Sequence, residues 1–293
     1  MMNQPMPELP EVETIASGVH ERVHGRRIVR VWTSGKPQTF KTPEDEIAAA
    51  LTGARIVSVR RVGKTIVMTV ERGNISGASS IAASSRRVGS CNTPVELLIH
   101  LGMTGRLLVS APEVPRAPHT HAVLTLDDGR EIRFVDPRRF GRLSLQPQNA
   151  LYAGPGSEPL TISLDEFVAL FHPRHTAIKA ALLNQSLLHG IGNIYADESL
   201  FRAAIRPTRQ AARLARAELA RLRTALVEVL RHAIELGGSS VSDYVDADGA
   251  RGFFQLEHRV YQRTNQPCLV CKSPIRRIAL AGRSTHFCPR CQK

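Results

Sequence analysis

The pattern of apolar and polar positions near the amino terminus predicts an amphipathic helix. After Pro10, apolar side chains recur at the spacing of one helical face, at Val12, Ile15, Val19 and Val23. Proline is tolerated in the first turn of a helix, and glycine often follows the last turn. We therefore expect a helix that begins near Pro10 and ends near Gly25.

The pattern then changes to short runs with the composition of β-strands. These runs cover residues 28–32, 55–61, 65–70, 95–100, 106–109, 121–126 and 131–135. Asp127-Asp128-Gly129 is a hairpin signal between the last two runs. Acidic residues at 44–46 favour the start of a helix over 43–51. This part of the chain is predicted to be mostly β, with one or two helices.

Two intervals lack any periodicity. Residues 72–94 are rich in small polar residues, which predicts a dispensable flexible insertion between two strands. Cys91 lies in this interval, and we interpret it as a surface thiol without function. Residues 146–160 are rich in Gly and Pro and are predicted to form an interdomain linker.

The second half of the chain has helical periodicity. Ser163 and Glu166 have the spacing of a capping box, and a second helix is expected after Thr176. Gly190-Ile191-Gly192-Asn193 precedes a third helical run. A long helix is predicted from about Arg216 to Leu236, ending at a Gly-Gly pair.

The last 26 residues contain two Cys-x2-Cys pairs, formed by Cys268, Cys271, Cys288 and Cys291. This spacing brings four thiolates to one tetrahedral ion, and the intervening residues predict a two-stranded ribbon with a turn near Gly282. Two disulfides are the alternative, but the amino terminus does not resemble a signal peptide, so an oxidising compartment is not expected. We expect one structural zinc ion.

The charge balance points to a polyanionic partner. The chain has 39 Lys+Arg against 26 Asp+Glu, a formal net charge of +13. Such an excess favours nucleic acid, although net charge alone is also compatible with a role in solubility. No apolar stretch approaches the ~20 residues that span a bilayer. We expect a soluble cytoplasmic protein associated with the nucleoid, with no membrane partner.

Six ordered motifs give the chain a specific resemblance. They are Pro7-Glu8-Leu9-Pro10-Glu11-Val12-Glu13-Thr14, Gly63-Lys64, His100-Leu101-Gly102-Met103-Thr104-Gly105, Asp136-Pro137-Arg138-Arg139-Phe140-Gly141, the run from Gly190 to Phe201, and Gly282-Arg283-Ser284-Thr285. With these motifs the chain resembles formamidopyrimidine-DNA glycosylase, a family of bifunctional enzymes that remove oxidised purines and nick the strand. The resemblance covers residues 6–293 except the insertion.

The resemblance implies an α+β fold with three parts. These are an N-terminal β-sandwich domain with flanking helices (7–145), a helical domain with a helix-two-turn-helix element (161–245), and a four-cysteine zinc ribbon (255–293). It also implies that the partner is double-stranded DNA containing oxidised bases, bound by a monomer.

The resemblance assigns four catalytic residues. Pro7 is the nucleophile, through the secondary amine of an N-terminal proline, and Glu8 is the adjacent acid/base. Lys64 is assigned to the target phosphate and to β-elimination, and Arg283 to δ-elimination. An α-amino group titrates near pH ~8, so a useful fraction is unprotonated at neutral pH.

The sequence departs from the family pattern ahead of Pro7. Residues 1–6 precede it, and a proline inside a chain is an amide without a nucleophilic lone pair. Either translation begins at Met6, or the preceding residues are trimmed, or Pro7 cannot act as a nucleophile. Since Met6 stands directly before Pro7, we expect translation to begin at Met6.

The remaining implied residues bind DNA. Met103, Arg138 and Phe140 form the wedge that fills the gap left by a flipped base. His119, Arg174 and Asn193 fall where the family contacts DNA, although Arg174 replaces an expected lysine. Taken alone, Met103 and Phe140 would more often be core residues, but the flanking glycines and arginines favour exposed loops.

Two alternatives accompany this interpretation. One is the related endonuclease VIII-type glycosylase for oxidised pyrimidines, against which Leu9 and the wedge residues argue. The other is a non-catalytic protein that binds damaged DNA, which applies if the residues before Pro7 are retained.

Overall fold

The computed structural model describes residues 6–72, 94–146, 151–240 and 244–293. Contacts divide the chain into two compact units. Unit 1 takes the residues up to Ile15, residues 61–64 and residues 153–293, and unit 2 takes residues 16–60 and 65–152. Apart from Arg72 and Pro94, the predicted insertion lies outside the described residues, and so does Cys91.

Unit 2 is built from strands and one short helix. In chain order its elements are β1 (Ile28–Thr33), α2 (Glu44–Leu51), β2 (Arg55–Val62), β3 (Thr65–Glu71), β4 (Val95–His100), β5 (Arg106–Ser110), β6 (Thr120–Leu126), β7 (Glu131–Val135) and β8 (Arg142–Leu145). They form two four-stranded sheets, with the orders β1-β6-β7-β5 and β2-β3-β4-β8. Helix α1 (Leu9–Val23) begins in unit 1 and ends in unit 2.

The two sheets of unit 2 share one apolar core. Ile99 of β4 and Leu143 of β8 come from one sheet, while Leu124 of β6 and Phe134 of β7 come from the other, and all four line the same small internal void. Side chains of alternate strand positions therefore meet between the sheets, as in a β-sandwich. The predicted mostly β domain is confirmed.

Strand β8 was missing from the sequence-based prediction. It has four residues, and only Leu143 among them is fully buried. It forms by pairing with β4, from Leu97 opposite Leu145 to His100 opposite Arg142. A strand this short has no alternating pattern of its own, so only its long-range partner defines it.

Unit 1 is helical and closed by a ribbon. Its elements are the start of α1, α3 (Leu164–Phe171), α4 (Ile178–Leu182), α5 (Asn193–Arg202), α6 (Arg216–Glu235), β9 (Arg276–Leu280) and β10 (Arg283–Phe287). The predicted capping box is present: Ser163 Oγ accepts from Glu166 N at 3.2 Å, and Ser163 N donates to Glu166 Oε2 at 3.0 Å. Helices α4 and α5 are separated by two turns, which fits the expected helix-two-turn-helix element.

The amino-terminal segment belongs to unit 1 because Leu9 is part of the helical core. Leu9 is fully buried with apolar residues of α3 to α6, and its N–H donates to Gly190 O at 3.0 Å. Glu8 and its neighbours are thereby held at the turn before α5. None of the helices in the described part of the chain combines the length and apolarity needed to cross a bilayer.

Candidate active site

Glu8 occupies the amino-terminal end of α5. Its side chain is buried, with 3 % of its surface exposed, and Oε1 accepts from Ile194 N at 3.3 Å. The first N–H groups of a helix have no intrahelical partner and carry partial positive charge, so they favour a carboxylate. Glu8 Oε2 has no hydrogen-bond partner in the described part of the chain, which leaves it available to a reacting group.

Gly192 allows this close approach. A Cβ placed on Gly192 would lie 2.1 Å from Glu8 Cδ, although its backbone is extended, with φ of −133°. Glycine is therefore required here for space and not for its backbone conformation. The Gly190-x-Gly192 motif thus directs the Ile194 N–H to Glu8.

Burial raises the pKa of Glu8 from 4.5 to about 7. Desolvation is the largest cause, the charge of Lys64 opposes it, and the charge of Glu11 adds to it. At neutral pH the carboxyl group is therefore present in both protonation states. A group in that condition can both give and take a proton, as acid/base chemistry requires.

Lys64 lies in the turn between β2 and β3, and its pKa is lowered. Burial is the main cause, and the positive charge of Arg283 adds to it, while Glu8 and Glu11 oppose the shift. The structure thus brings Glu8, Lys64 and Arg283 into one electrostatic cluster within unit 1. The lowered pKa leaves Lys64 a weaker base than a surface lysine.

An ion-pair network centred on the buried Arg61 side chain holds the turn that carries Lys64. Arg61 donates to Glu13 Oε2 at 2.7 Å and to both oxygens of Glu158 at 2.9 Å. Burial acts to raise the pKa of Glu158, but the His189 and Arg61 side chains beside it lower that pKa to about 2. His189 packs under the turn, since a Cβ on Gly63 would lie 2.9 Å from its Nδ1. The backbone at Lys64 is therefore held by the Arg61 ion pairs and by its packing against His189.

Glu11 is a site residue that sequence reasoning missed. Its Oε1 accepts from Tyr195 Oη at 2.5 Å and from Ser239 N at 2.7 Å, and its Oε2 accepts from Glu8 N at 2.9 Å. Burial raises its pKa, and these hydrogen bonds oppose the shift. Glu11 thus fixes the peptide that follows Pro7. The only signal in the sequence was a second carboxylate in the Pro7–Thr14 motif.

A buried lysine joins the ribbon to the helices, and the sequence analysis did not predict it. Lys179 of α4 forms an ion pair with Asp197 Oδ1 at 2.7 Å, and it donates to Ser284 O at 2.8 Å and to Thr285 Oγ1 at 2.9 Å. Its pKa is lowered, chiefly by burial. Arg283 directly precedes these two ribbon residues and is exposed, so its guanidinium projects from an anchored strand.

A groove of about 1030 Å³ runs beside Arg283. Tyr261, Arg277, Ser284 and His286 contribute to its lining. Asn193 lies next to the ribbon, where Nδ2 donates to Ser284 Oγ at 3.3 Å. The predicted DNA contact Asn193 is therefore close to the ribbon arginine, whereas Arg174 lies exposed after α3 and donates to Leu170 O at 3.4 Å.

Four predicted DNA contacts lie in unit 2. Arg138 and Phe140 are exposed, with the Arg138 Cζ 4.8 Å from the centre of the Phe140 ring. Phe140 leaves 47 % of its surface exposed, which excludes a core role. Met103 is half-buried and His119 is exposed. Each is on a loop that follows or precedes a strand of the sandwich.

The four cysteines of the ribbon have the geometry of a zinc site. Their Sγ atoms lie within 4.8 Å of one another, with 3.9 Å between Cys268 and Cys291 and 3.4 Å between Cys271 and Cys288. Four thiolates at about 2.3 Å from one ion would be about 3.8 Å apart, so the arrangement fits tetrahedral zinc. All four thiols are free, which agrees with a metal site rather than with two disulfides.

Comparisons with known proteins agree along the chain. Residues 6–143 match the formamidopyrimidine-DNA glycosylase N-terminal domain, residues 154–245 its H2TH domain, and residues 265–293 a zinc finger found in FPG and IleRS. The formamidopyrimidine-DNA glycosylase of Solibacter usitatus is 45% identical, with 98% of this chain and 100% of that protein covered.

Solved structures are similar over the same length. The MutM (FPG) protein from Thermus thermophilus is 39% identical, with a TM-score of 0.79 and 98% of each chain covered. Wild-type Lactococcus lactis Fpg (MutM), solved with DNA containing N7-benzyl-Fapy-dG, is 30% identical, with a TM-score of 0.82. That comparison covers 98% of this chain and 100% of the Lactococcus lactis chain.

Glu8→Gln should stabilise the protein at alkaline pH. Because the folded pKa is raised from 4.5 to about 7, the native state holds a proton that the unfolded state has lost, and stability falls as pH rises through this window. At pH ~8 the ionised Glu8 side chain lowers the free energy of unfolding by ~3 kcal/mol, and a neutral glutamine avoids this loss. Urea denaturation of both proteins at pH 5 and pH 8 measures this. Equal differences between the proteins at both pH values would contradict the raised pKa.

Replacing a zinc ligand should destabilise the ribbon. Cys268 and Cys288 form a small core with Phe201, Val260 and Ile275, so the ribbon has little apolar area beyond the metal site. Cys268→Ser and Cys288→Ser should each lose zinc and weaken DNA binding. Metal released to a chromophoric chelator and DNA affinity by fluorescence anisotropy test this.

The matched control for the zinc ligands is Val270→Ser, which introduces the same side chain at an exposed position between two of them. It should keep both the metal and the DNA affinity of the unchanged protein. Full DNA affinity of either cysteine variant without metal would contradict the structural role of zinc.

Proposed function

Because the chain belongs to the formamidopyrimidine-DNA glycosylase family, we propose that the cluster of Glu8, Lys64 and Arg283 performs its chemistry with Pro7 as nucleophile. The activity is that of a bifunctional DNA glycosylase/AP lyase that excises oxidised purines. The relatives described above are all named for formamidopyrimidine or Fpg, which supports purine over pyrimidine lesions. The observation that carries the assignment is Glu8, buried at a helix amino terminus directly after Pro7.

In the first step the Pro7 amine attacks C1′ of the damaged nucleotide. A nitrogen–carbon bond forms, and the bond from C1′ to the base breaks with its electron pair going to the base. The amine loses its proton, and a proton passes to the departing base, which leaves neutral. The sugar ring then opens as the C1′–O4′ bond breaks, O4′ takes a proton, and an iminium links protein and sugar. Glu8, with a pKa of about 7, is the group that supplies this proton.

The second step cleaves the strand. The iminium acidifies C2′, so a proton leaves C2′ and the bond to the 3′ phosphate breaks. Lys64 is proposed to neutralise the charge of that phosphate, for which its cationic form at the β2–β3 turn is suited. Loss of a second proton from C4′ then releases the 5′ phosphate, and the exposed guanidinium of Arg283 is proposed to stabilise this leaving group.

The protein context positions the nucleophile as well as the acid. Glu11 accepts from Glu8 N, and therefore holds the peptide next to the Pro7 nitrogen. The amine exists only when no residue precedes Pro7, because an amide nitrogen has no nucleophilic lone pair. We propose that the active form begins at Pro7, after removal of Met6.

DNA binding is proposed to use positive charge and an intercalating wedge. His119, Arg174 and Asn193 would contact the backbone, whose contacts carry no lesion information. Met103, Arg138 and Phe140 would fill the space left by the flipped nucleotide. The protein is proposed to act as a monomer on nucleoid DNA in the cytoplasm.

Covalent trapping tests the nucleophile. Borohydride should reduce the iminium and give a stable protein–DNA adduct with protein whose intact mass shows Pro7 at the amino terminus. Glu8→Gln should lower the yield by blocking base release while leaving DNA affinity unchanged, and Glu21→Gln, an exposed carboxylate of α1, is the control. An abundant adduct from protein that retains Met1 would refute the requirement for a free Pro7 amine.

Truncation of Met103 tests the wedge. Met103→Ala should slow excision from duplex DNA but leave cleavage at an abasic site nearly unchanged, because flipping costs less there. If Met103 were instead a core residue, its truncation would cost ~2–5 kcal/mol of stability and lower both activities together. Single-turnover rates on the two substrates, together with thermal melting, distinguish these outcomes.

A further inference from the structure

Three loops of unit 2 carry Met103, His119 and the Arg138–Phe140 segment, and all three hydrogen-bond to Asp136. Asp136 follows β7 and is fully buried. Its N–H donates to His119 O at 3.0 Å, and its carboxylate accepts from the other two loops. One residue therefore connects every candidate DNA contact of this unit.

The carboxylate of Asp136 accepts three hydrogen bonds. Oδ1 accepts from Thr104 Oγ1 at 2.6 Å, next to Met103, and from Arg138 N at 3.2 Å. Oδ2 accepts from Gly141 N at 2.7 Å, directly after Phe140. Thr104 lies on one side of the wedge and Arg138 and Gly141 lie on the other, so one buried carboxyl group holds both sides.

The two wedge loops also touch each other. Gly102 has φ of +64°, and a Cβ there would lie 2.6 Å from both Gly141 N and Phe140 C. Arg139, between the two exposed wedge residues, has φ of +55°, which is a strained conformation for a non-glycine residue. Such a conformation persists only where its surroundings hold it, and Asp136 O accepts the Arg139 N–H at 3.3 Å.

We propose that Asp136 is a positioning residue that makes Met103, Arg138 and Phe140 a single pre-formed wedge. This inference rests on the wedge role given under the proposed function. Asp136 itself is buried and acts on DNA only through these loops. Because the loops are set before DNA binds, insertion beside a flipped nucleotide needs no reordering of the protein.

Only a carboxylate satisfies this arrangement. Asparagine has one acceptor oxygen and one amide nitrogen. Its amide nitrogen would face the Arg138 N–H in the Oδ1 position or the Gly141 N–H in the Oδ2 position. Either choice places two donors against each other in a buried site, where an unpaired donor is costly.

The experiment compares duplex DNA containing 8-oxoguanine with the same duplex containing an abasic site. Asp136→Asn should slow excision from the oxidised duplex by about ten- to a hundredfold, the scale of a ~1 Å misplacement, and leave abasic-site cleavage within about twofold. The control is Asp127→Asn, which changes an exposed carboxylate in the turn between β6 and β7. Its rates on both substrates should equal those of the wild type.

Thr104→Val provides a second variant, which keeps the side-chain shape and replaces the hydroxyl with a methyl group that cannot donate to Asp136. It should slow duplex excision, and it should add nothing in a Met103→Ala background, because Thr104 acts through the Met103 loop. Thermal melting identifies variants that are partly unfolded. If Asp136→Asn does not fold, the positioning role is tested by comparing Thr104→Val, Met103→Ala and the double variant.

Equal slowing on both substrates, or additive effects of Thr104→Val and Met103→Ala, would overturn the positioning role. Normal duplex excision by both Asp136→Asn and Thr104→Val would also overturn it. If Met103→Ala itself excises normally from duplex DNA, the wedge and this inference both fail. Borohydride trapping at Pro7 is independent of the wedge, so glycosylase function would stand in that case.

Discussion

The candidate active site depends on one helix, α5, whose residues contact segments distant in sequence. Ile194 N donates to Glu8, and Tyr195 Oη donates to Glu11. Asp197 pairs with Lys179 and accepts from His286 N, and Glu198 accepts three backbone N–H groups of residues 259–261. The amino-terminal segment, α4 and the ribbon are thereby placed relative to one rigid element. A helix suits this purpose because its backbone is already satisfied and its side-chain directions are fixed.

Most of these contacts involve a buried carboxylate that accepts backbone N–H groups. Glu8, Glu11 and Glu198 in unit 1 and Asp136 in unit 2 each hold a loop or a helix terminus in this way. A buried polar group is expensive unless it is hydrogen-bonded, so each of these carboxyl groups favours one arrangement of the backbone that it binds. Glu8 is the exception in having an oxygen without a partner in the described part of the chain, and it is also the group with a pKa of about 7. This combination of an unpaired oxygen and a shifted pKa is what distinguishes Glu8 from the other three, and it supports the proposed acid/base role.

The sequence predicted the elements and the chemical classes well. Helix α1, seven of the eight sandwich strands, the Ser163 capping box and the ribbon each carry a local signal, such as 3.6-residue periodicity, alternation or a turn residue. Strand β8 lacks one, because four residues with one fully buried side chain do not form a pattern. The zinc site was also predictable, since two Cys-x2-Cys pairs specify a tetrahedral ligand set whatever the rest of the fold.

The amino-acid sequence by itself determined the local elements, the metal ligands, the basic character and, through ordered motifs, the family. Tertiary structure alone decided which of the acidic residues are buried and what they contact. Glu11 meets Tyr195 and Ser239, and Lys179 meets Thr285, across more than a hundred residues of chain. The raised pKa of Glu8 follows in the same way, because it depends on desolvation by residues that only folding brings together. Local periodicity indicates which face of a helix or strand a residue occupies. The protonation state of its side chain and its hydrogen-bond partners depend on what packs against that face.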